Sequence, residues 1–229
     1  MKHTLLLFSL LSGYMTTTQA NNLSKEFIAT FLPQNPIILD AGAHNGSDSR
    51  EFSFLFPQGT IISCEPVPNL FQVLKANTQD CHNIIYVQKA LSDKRGQEFI
   101  YISQGGDAAS SSLLKPEQQK FQQYFPHITF PYKIAVETLT LDQLAEELNI
   151  DHIDFLCLDL QGVELLVLKA APNILKTVKA IYTEVNYTSV YENTPLYPEL
   201  KSWMEENDFM EVTQIVHHCT FGDVLFVRK

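Results

Sequence analysis

The sequence stretch that decides the fold is Pro36-Ile37-Ile38-Leu39-Asp40-Ala41-Gly42-Ala43-His44-Asn45-Gly46-Ser47-Asp48-Ser49. A short apolar run ends in an acid, a turn with two glycines follows, and polar residues suited to a helix start come next. This order is typical of a buried parallel strand that leads into a helix, and such units bind nucleotides at the strand end. Because glycine lets the backbone approach a ligand closely, we predict a nucleotide-like group beside Asp40, Gly42 and Gly46.

Further along the chain, other predicted strands also end at acids. The four acids at or beside strand ends are Asp40, Glu65, Asp159 and Glu184. The carboxyl ends of parallel strands meet at one edge of an α/β sheet, where these folds bind their ligands. The four acids therefore indicate a site at this edge. Glu65 follows the second strand, where an acid reaches the ribose hydroxyls of a bound nucleotide.

The remaining pattern predicts alternating helices and strands. Besides the first two strands, the sequence predicts strands at residues 84–88, 97–103, 135–139, 153–159 and 178–185. It predicts helices at residues 21–32, 47–56, 68–77, 141–148, 162–171 and 196–207. Residues 209–216 and 220–227 predict a C-terminal antiparallel hairpin. Residues 104–131 lack a domain-sized core pattern and predict an insertion, which either lies over the cleft or is a plain surface excursion.

The composition favours one α/β domain that does not bind nucleic acid. The chain has 229 residues, of which 45% are hydrophobic, so it can bury a substantial core. Its formal net charge of −10 would repel a phosphate backbone, and no cluster of Lys and Arg offsets it. The four cysteines have neither Cys-x-x-Cys pairs nor histidine spacing, so no metal site is predicted.

Residues 1–20 have the pattern of a cleavable export signal. Lys2 precedes an apolar run from Leu5 to Leu11, and the segment ends with Thr18-Gln19-Ala20. The run is too short to be a stable transmembrane span. The alternative is an N-terminal helix that packs on the domain formed by residues 21–229.

The turn after the first strand argues against a dinucleotide-binding oxidoreductase, which is one alternative function. A G-x-G-x-x-G fingerprint counted from Gly42 needs glycine at positions 44 and 47, where this chain has His44 and Ser47. The pyrophosphate of NAD(P) would therefore be poorly bound.

Two blocks of the sequence resemble the FkbM family of S-adenosylmethionine-dependent methyltransferases, which belongs to the class I superfamily. The first block resembles the class I nucleoside site and consists of residues 38–46, Glu65-Pro66 and Ala90-Leu91-Ser92-Asp93. The second block is specific to the FkbM family and consists of Thr140-Leu141-Asp142-Gln143-Leu144 and Ile153-Asp154-Phe155-Leu156-Cys157-Leu158-Asp159-Leu160-Gln161-Gly162-Val163-Glu164. The resemblance runs from about Ile37 to Met210.

The resemblance implies a Rossmann-like, seven-stranded sheet flanked by helices, with its last strand antiparallel. It also implies methyl transfer from S-adenosylmethionine, most often to a hydroxyl of a sugar, glycan or small natural product. By position, the methionine part would be held by Asp40, Gly42, Ala43 and Gly46, the ribose by Glu65, and the adenine side by Leu91 and Ser92. This chain departs from the family at His44, where Asn is frequent, at Gln161, where Glu is frequent, and at Cys157, where Lys is common.

Methyl transfer to oxygen needs a hydroxyl held about 3 Å from the methyl carbon, and a base for its proton. The candidate bases are Asp159, Glu184 and His44, in that order. The alternative role for His44 is that of a turn residue, because histidine adopts turn conformations readily. Glu164 is expected to be a helix-start acid, favoured by the helix dipole.

An exported binding module that kept the fold and lost turnover is the second alternative function. The export pattern favours it, because a compartment without S-adenosylmethionine would leave the enzyme idle. The supply of this cofactor instead favours the cytoplasm. The expected partner is a small-molecule or glycan acceptor.

Overall fold

The computed structural model describes residues 23–105 and 109–229. The export signal predicted at residues 1–20 lies outside these described residues. Across the described ranges, every helix is too short or too polar to cross a lipid bilayer.

The part of the chain that the structure describes contains ten strands in two sheets. The strands are β1 (Ile37–Ala41), β2 (Thr60–Cys64), β3 (Ile84–Val87), β4 (Ala90–Leu91), β5 (Gly96–Gln104), β6 (Thr129–Leu139), β7 (Phe155–Leu158), β8 (Ala180–Asn186), β9 (Phe209–Val216) and β10 (Phe221–Arg228). The large sheet has the order β3-β2-β1-β7-β8-β10-β9, and β10 is antiparallel to both of its neighbours. The other pairs in that sheet are parallel. The predicted seven-stranded α/β sheet with a C-terminal antiparallel hairpin is therefore confirmed.

Within the described residues there are seven α-helices, of which the first precedes β1 and the others lie between strands. They are α1 (Lys25–Ala29), α2 (Ser47–Leu55), α3 (Pro68–Asn77), α4 (Gln118–Tyr124), α5 (Leu141–Leu148), α6 (Glu164–Lys169) and α7 (Tyr197–Glu206), with a 3₁₀ turn at Ile174–Thr177. Helix α6 begins two residues later than the sequence predicts. Gly162 has a φ of 104°, which is outside the helical region and delays the helix start.

The small sheet differs from the sequence prediction. It has the order β4-β6-β5, and β6 begins at Thr129, inside the insertion predicted at residues 104–131. Pro131 lies within β6, although proline cannot donate to a strand ladder. It is tolerated because β4 pairs with β6 only at Thr138 and Leu139, and the β5 register shifts beside it, between Ile102 and Gln104.

Successive side chains of each strand point to opposite faces of the large sheet, so the core has two layers. Ile38 and Phe155 face α1 and α2, where Phe155 packs edge-on against Phe52 with ring centroids 5.5 Å apart. Leu39 and Leu156 face the opposite side, where the larger core includes residues of α5, α6 and α7. The carboxyl ends of β1, β2 and β7 are left as an open edge between the two layers.

The turn after β1 is fixed between the ends of β2 and β7. The backbone N–H groups of Gly42 and Ala43 both donate to the carbonyl of Cys64, over 3.0 and 2.9 Å. On the other side, the Asp159 N–H donates to the Ala41 carbonyl over 3.0 Å. Gly42 has a φ of 83°, and a Cβ atom there would lie 1.9 Å from the carbonyl oxygen of Asp159. Only glycine fits this position without displacing the backbone.

We expect Gly42→Ala to lower the free energy of unfolding by more than about 2 kcal/mol. The left-handed backbone costs alanine roughly 1 kcal/mol, and the clash with the Asp159 carbonyl adds to this. Urea unfolding of both proteins measures the difference. Gly96→Ala is the matched control, because that exposed position has no atom within 4 Å of the added Cβ. Equal effects of the two substitutions would contradict the packing constraint.

Candidate active site

A cleft, here called the rim cleft, lies at the carboxyl ends of β1, β2 and β7. Three connecting segments and the insertion after β5 form its walls. The lining of the cleft includes Gly42, His44, Glu65, Val67, Lys89, Leu91, Ile100, Ala109, Leu113, Asp159, Gln161 and Val163. The cleft therefore brings together Gly42, His44, Glu65, Leu91 and Asp159, five of the ten site residues predicted from the sequence.

Glu65 is a buried carboxylate fixed in the wall of the rim cleft. Its Oε2 accepts a hydrogen bond of 2.9 Å from the His44 N–H, and its Oε1 accepts one of 2.8 Å from the Val67 N–H. Burial raises the pKa of Glu65 to about 7, although the two backbone donors oppose the rise. Each carboxylate oxygen can accept a second hydrogen bond, so this group can bind two adjacent hydroxyls of a ligand.

An apolar slot adjoins Glu65 in the rim cleft. Its side chains are Val67, Leu91, Ile100, Leu113 and Val163. Ser92 does not line the cleft, because its hydroxyl donates to Glu98 over 2.8 Å and its side chain is buried. The slot is therefore apolar and suits the flat face of an aromatic base.

Three of the predicted residues shape the turn and do not line the cleft. Asp40 points into the core, where the Ser49 hydroxyl donates to its carboxylate, and burial raises the pKa of Asp40 to about 7. Ala43 packs in a small core cluster beside α3. A Cβ at Gly46 would lie 2.6 Å from Leu74 Cδ1, so this glycine allows α3 to approach the turn.

The His44 imidazole lines the rim cleft, while the His44 backbone has a φ of 49°. Its pKa is lowered by burial, which favours the neutral ring. The His44 backbone N–H also positions Glu65, as described above. The residue thus serves the turn through its backbone and reaches the cleft with its side chain.

Gln161 connects two of the strand-end acids. Its Nε2 donates to Asp159 Oδ1 over 2.7 Å and lies 3.2 Å from both carboxylate oxygens of Glu184. Its Oε1 lies 2.9 Å from the Tyr191 hydroxyl. The sequence identified Gln161 only as a departure from the family. Its contacts with Glu184 and Tyr191 join residues far apart in sequence, so no local signal indicated them.

The surroundings of Asp159 and Glu184 raise the pKa of both carboxyl groups. The surrounding protein desolvates Asp159, although its side chain remains reachable from solvent, and raises its pKa to about 6. The pKa of Glu184 is raised well above its ordinary value by desolvation and then by the charge of Asp159. Asp159 is therefore substantially ionised at neutral pH, and its charge favours the protonated form of Glu184.

Glu164 closes the loop that carries Gln161. Its carboxylate accepts hydrogen bonds from the Leu160 N–H, over 2.9 Å, and from the Gly162 N–H, over 3.0 Å. Burial raises its pKa to about 7. As the first residue of α6 it supports the loop at the helix start and does not line the rim cleft.

A second cavity of ≈ 320 Å³ lies beside the rim cleft. It shares Ala109, Asp159 and Gln161 with the cleft and extends to Glu184 at the end of β8. Of the three candidate bases, His44 lines only the cleft and Glu184 only the second cavity, whereas Asp159 lines both. A carboxylate therefore stands at the junction of two neighbouring binding spaces.

The family follows from a match to the sequence model described as "Methyltransferase FkbM domain", which covers residues 40–210. The chain belongs to the FkbM methyltransferase family. The match runs from the end of β1 to the start of β9, and it confirms the family predicted from the two sequence blocks.

Two curated relatives of this FkbM family protein are also methyltransferases by name. The 2-O-methyltransferase NoeI of Sinorhizobium fredii (strain NBRC 101917 / NGR234) is 28% identical over 185 residues, which cover 79% of this chain and 75% of the relative. Methyltransferase sdnD of Sordaria araneosa is 25% identical over 202 residues, which cover 78% of this chain and 75% of the relative.

Solved structures share the fold at low sequence identity. Fibrillarin from Aeropyrum pernix, solved with natively bound S-adenosyl-L-methionine, matches with a TM-score of 0.51 and 14% identity over 86% of this chain and 69% of that chain. An rRNA methylase from Streptococcus thermophilus matches with a TM-score of 0.51 and 12% identity over 93% of this chain and 99% of that chain. These similarities confirm the methyltransferase fold.

The raised pKa values predict that stability falls as pH rises. Asp40, Glu65 and Glu164 are buried and have pKa values of about 7, above those of an unfolded chain, so the folded protein binds more protons in this range. The free energy of unfolding should be higher at about pH 5 than at about pH 8 by more than about 2 kcal/mol. The lowered pKa of His44 makes the stability rise with pH. This effect is smaller, because His44 is a single half-buried group and the three acids are buried. Urea unfolding at the two pH values measures this, and greater stability at the higher pH would contradict it.

Gln161→Glu should destabilise the protein more at about pH 8 than at about pH 5. The substitution removes the amide donor that Asp159 and Glu184 share. It also adds a third carboxyl group, whose ionisation is disfavoured by the negative charge of the neighbouring acids. We expect a loss of about 1 kcal/mol or more at the higher pH. Gln143→Glu is the matched control, since Gln143 accepts the Thr140 N–H through its side-chain oxygen and a carboxylate accepts it equally. A loss independent of pH would rule out the proposed role of the amide.

Proposed function

We propose that the protein transfers a methyl group from S-adenosylmethionine to a hydroxyl oxygen of a sugar, glycan or small natural product. The observation that carries this proposal is the position of Asp159, which lines both the rim cleft and the second cavity. One relative is named a 2-O-methyltransferase, which supports oxygen as the acceptor atom.

The residues of the rim cleft fit S-adenosylmethionine. Glu65 would accept hydrogen bonds from the two ribose hydroxyls, and the apolar slot around Leu91 would hold the adenine. The methionine part would lie along the turn at Gly42 and His44. When bound, the cofactor supplies an electrophilic methyl group on a positively charged sulfur.

Asp159 is the proposed base for the acceptor hydroxyl. Its pKa of about 6 keeps it ionised at neutral pH, and it remains basic enough to accept a proton as the hydroxyl reacts. Gln161 orients it through the hydrogen bond to Oδ1. Glu184 is the second candidate, since its raised pKa favours the protonated form, and His44 is the third, since it lines only the rim cleft.

The two alternative functions make different demands on the rim cleft. An oxidoreductase would need glycines where the turn has His44 and Ser47, and Ser47 is the first residue of α2. An exported binding module would keep the same cleft without catalysis, and the export pattern that motivates it lies outside the described residues. The catalytic proposal is favoured by the shared carboxylate at the junction.

Binding of S-adenosylhomocysteine, the demethylated cofactor, tests the proposed site. It should raise the melting temperature, whereas NADH should not. In calorimetry, Glu65→Gln should weaken its binding by about 1–3 kcal/mol, because a ribose hydroxyl loses its charged acceptor. Glu98→Gln is the matched control, as Glu98 accepts from Ser92 outside the cleft. The absence of any shift with S-adenosylmethionine or its product at millimolar concentration would refute the proposal.

A further inference from the structure

The second cavity has an aromatic wall. The rings of Phe121, Phe125 and Phe221 bring together helix α4 of the insertion and the turn between β9 and β10. Phe125 lies 5.8 Å from Phe121 and 6.2 Å from Phe221 between ring centroids. Phe121 is buried and braced by Phe130 and Tyr191, while Phe125 and Phe221 are only half-buried. The two half-buried rings therefore offer apolar surface to a ligand.

The same cavity also has a polar and acidic part. It includes Asp159, Gln161, Glu184 and Asn186 at the ends of β7 and β8. Among the described residues, those that line this cavity include no Lys, Arg or His. His218 packs on Phe125 with ring centroids 5.1 Å apart, but it stands outside the lining. Asp159 and Glu184 both approach the Gln161 amide nitrogen, so two hydrogen-bond acceptors converge at one point of this part.

Aromatic rings and a pair of acids in one cavity match the two kinds of surface that a sugar ring presents. The C–H face of a pyranose is apolar and packs on aromatic rings, whereas its edge presents hydroxyls on adjacent carbons. Carboxyl groups accept hydrogen bonds from such hydroxyls. The volume of ≈ 320 Å³ is at the lower end for small-molecule sites, so it suits one ring.

We propose that the second cavity binds the acceptor as a single uncharged sugar ring, with its apolar face on Phe125 and Phe221 and adjacent hydroxyls at Asp159 and Glu184. This inference rests on the proposed function. In the reaction the acceptor oxygen bonds to the methyl carbon while the carbon–sulfur bond breaks and the sulfur keeps the electron pair. The hydroxyl proton passes to Asp159.

The acidic part of the cavity excludes anionic sugars. A uronic acid or sugar phosphate would bring its charge beside the ionised Asp159, and the described residues that line the cavity include no cation to compensate. Two like charges at such short range repel each other, which disfavours binding of the anionic sugar. Selection against negative charge is thus built into the acceptor site.

Binding to the protein saturated with S-adenosylhomocysteine tests this. The ligands are methyl glycosides of glucose, galactose and mannose, each paired with its uronic acid, and the dissociation constants come from ligand-observed NMR. At least one neutral sugar should bind, and the dissociation constant of the matching uronic acid should be about tenfold higher. Asp159→Asn should narrow this difference to about threefold or less, because it removes the repelling charge.

The aromatic wall is tested by Phe125→Leu, which keeps an apolar side chain but loses the flat ring. The variant should bind the neutral sugar about fivefold more weakly. Its binding of S-adenosylhomocysteine should be unchanged, and this unchanged binding also shows that the variant is folded. Phe54→Ala is the control, since Phe54 is 58% exposed on α2 and lines neither binding space.

The outcomes separate this inference from the proposed function. If S-adenosylhomocysteine binds but no neutral sugar does, or if the uronic acids bind as well as the neutral sugars, the inference is overturned and the cofactor site stands. If S-adenosylhomocysteine fails to bind, the proposed function is overturned, and the inference falls with it.

Discussion

The close approach of the Gly42 backbone to the Asp159 carbonyl is the constraint on which the rest of the site depends. The Asp159 N–H donates to Ala41, its carbonyl packs on Gly42, and its carboxylate stands between the two binding spaces. One residue therefore sets the distance between the turn after β1 and the loop after β7. Any side chain at position 42 would push these segments apart and move the carboxylate relative to both ligands.

Local patterns in the sequence were sufficient to predict the strand–turn–helix unit, the acids at the strand ends and the C-terminal hairpin, because each depends on neighbouring residues. They did not show where each acid points. Asp40 pairs in register with Ser63 and Cys157, so it faces the helices and meets Ser49 instead of the cleft. The bridge from Gln161 to Glu184 depends on tertiary packing, which no periodicity encodes.

The acids around the site reduce the stability of the protein and also serve its proposed reaction. The charge of Asp159 raises the pKa of Glu184, and the buried Glu65 adds to the negative field. A positively charged sulfonium would relieve this repulsion more than its neutral product does. Lys89 also lines the cleft, but its ammonium is 2.8 Å from Glu147 and is thereby partly neutralised. The field therefore favours binding the methyl donor over retaining the product.

The insertion after β5 contributes residues to both the rim cleft and the second cavity. The Ser112 hydroxyl donates to the Gln161 carbonyl over 2.7 Å, and the Tyr191 hydroxyl lies 2.8 Å from the Ser110 carbonyl. These contacts fix the first part of the insertion to the loop that carries the acids, while α4 reaches only the second cavity. Substitutions on α4 that keep Phe121 packed on Tyr191 can therefore reshape the wall of the second cavity while the walls of the rim cleft stay in place. Under the proposed function, acceptor selectivity can then change without a change in the methyl-donor site or Asp159.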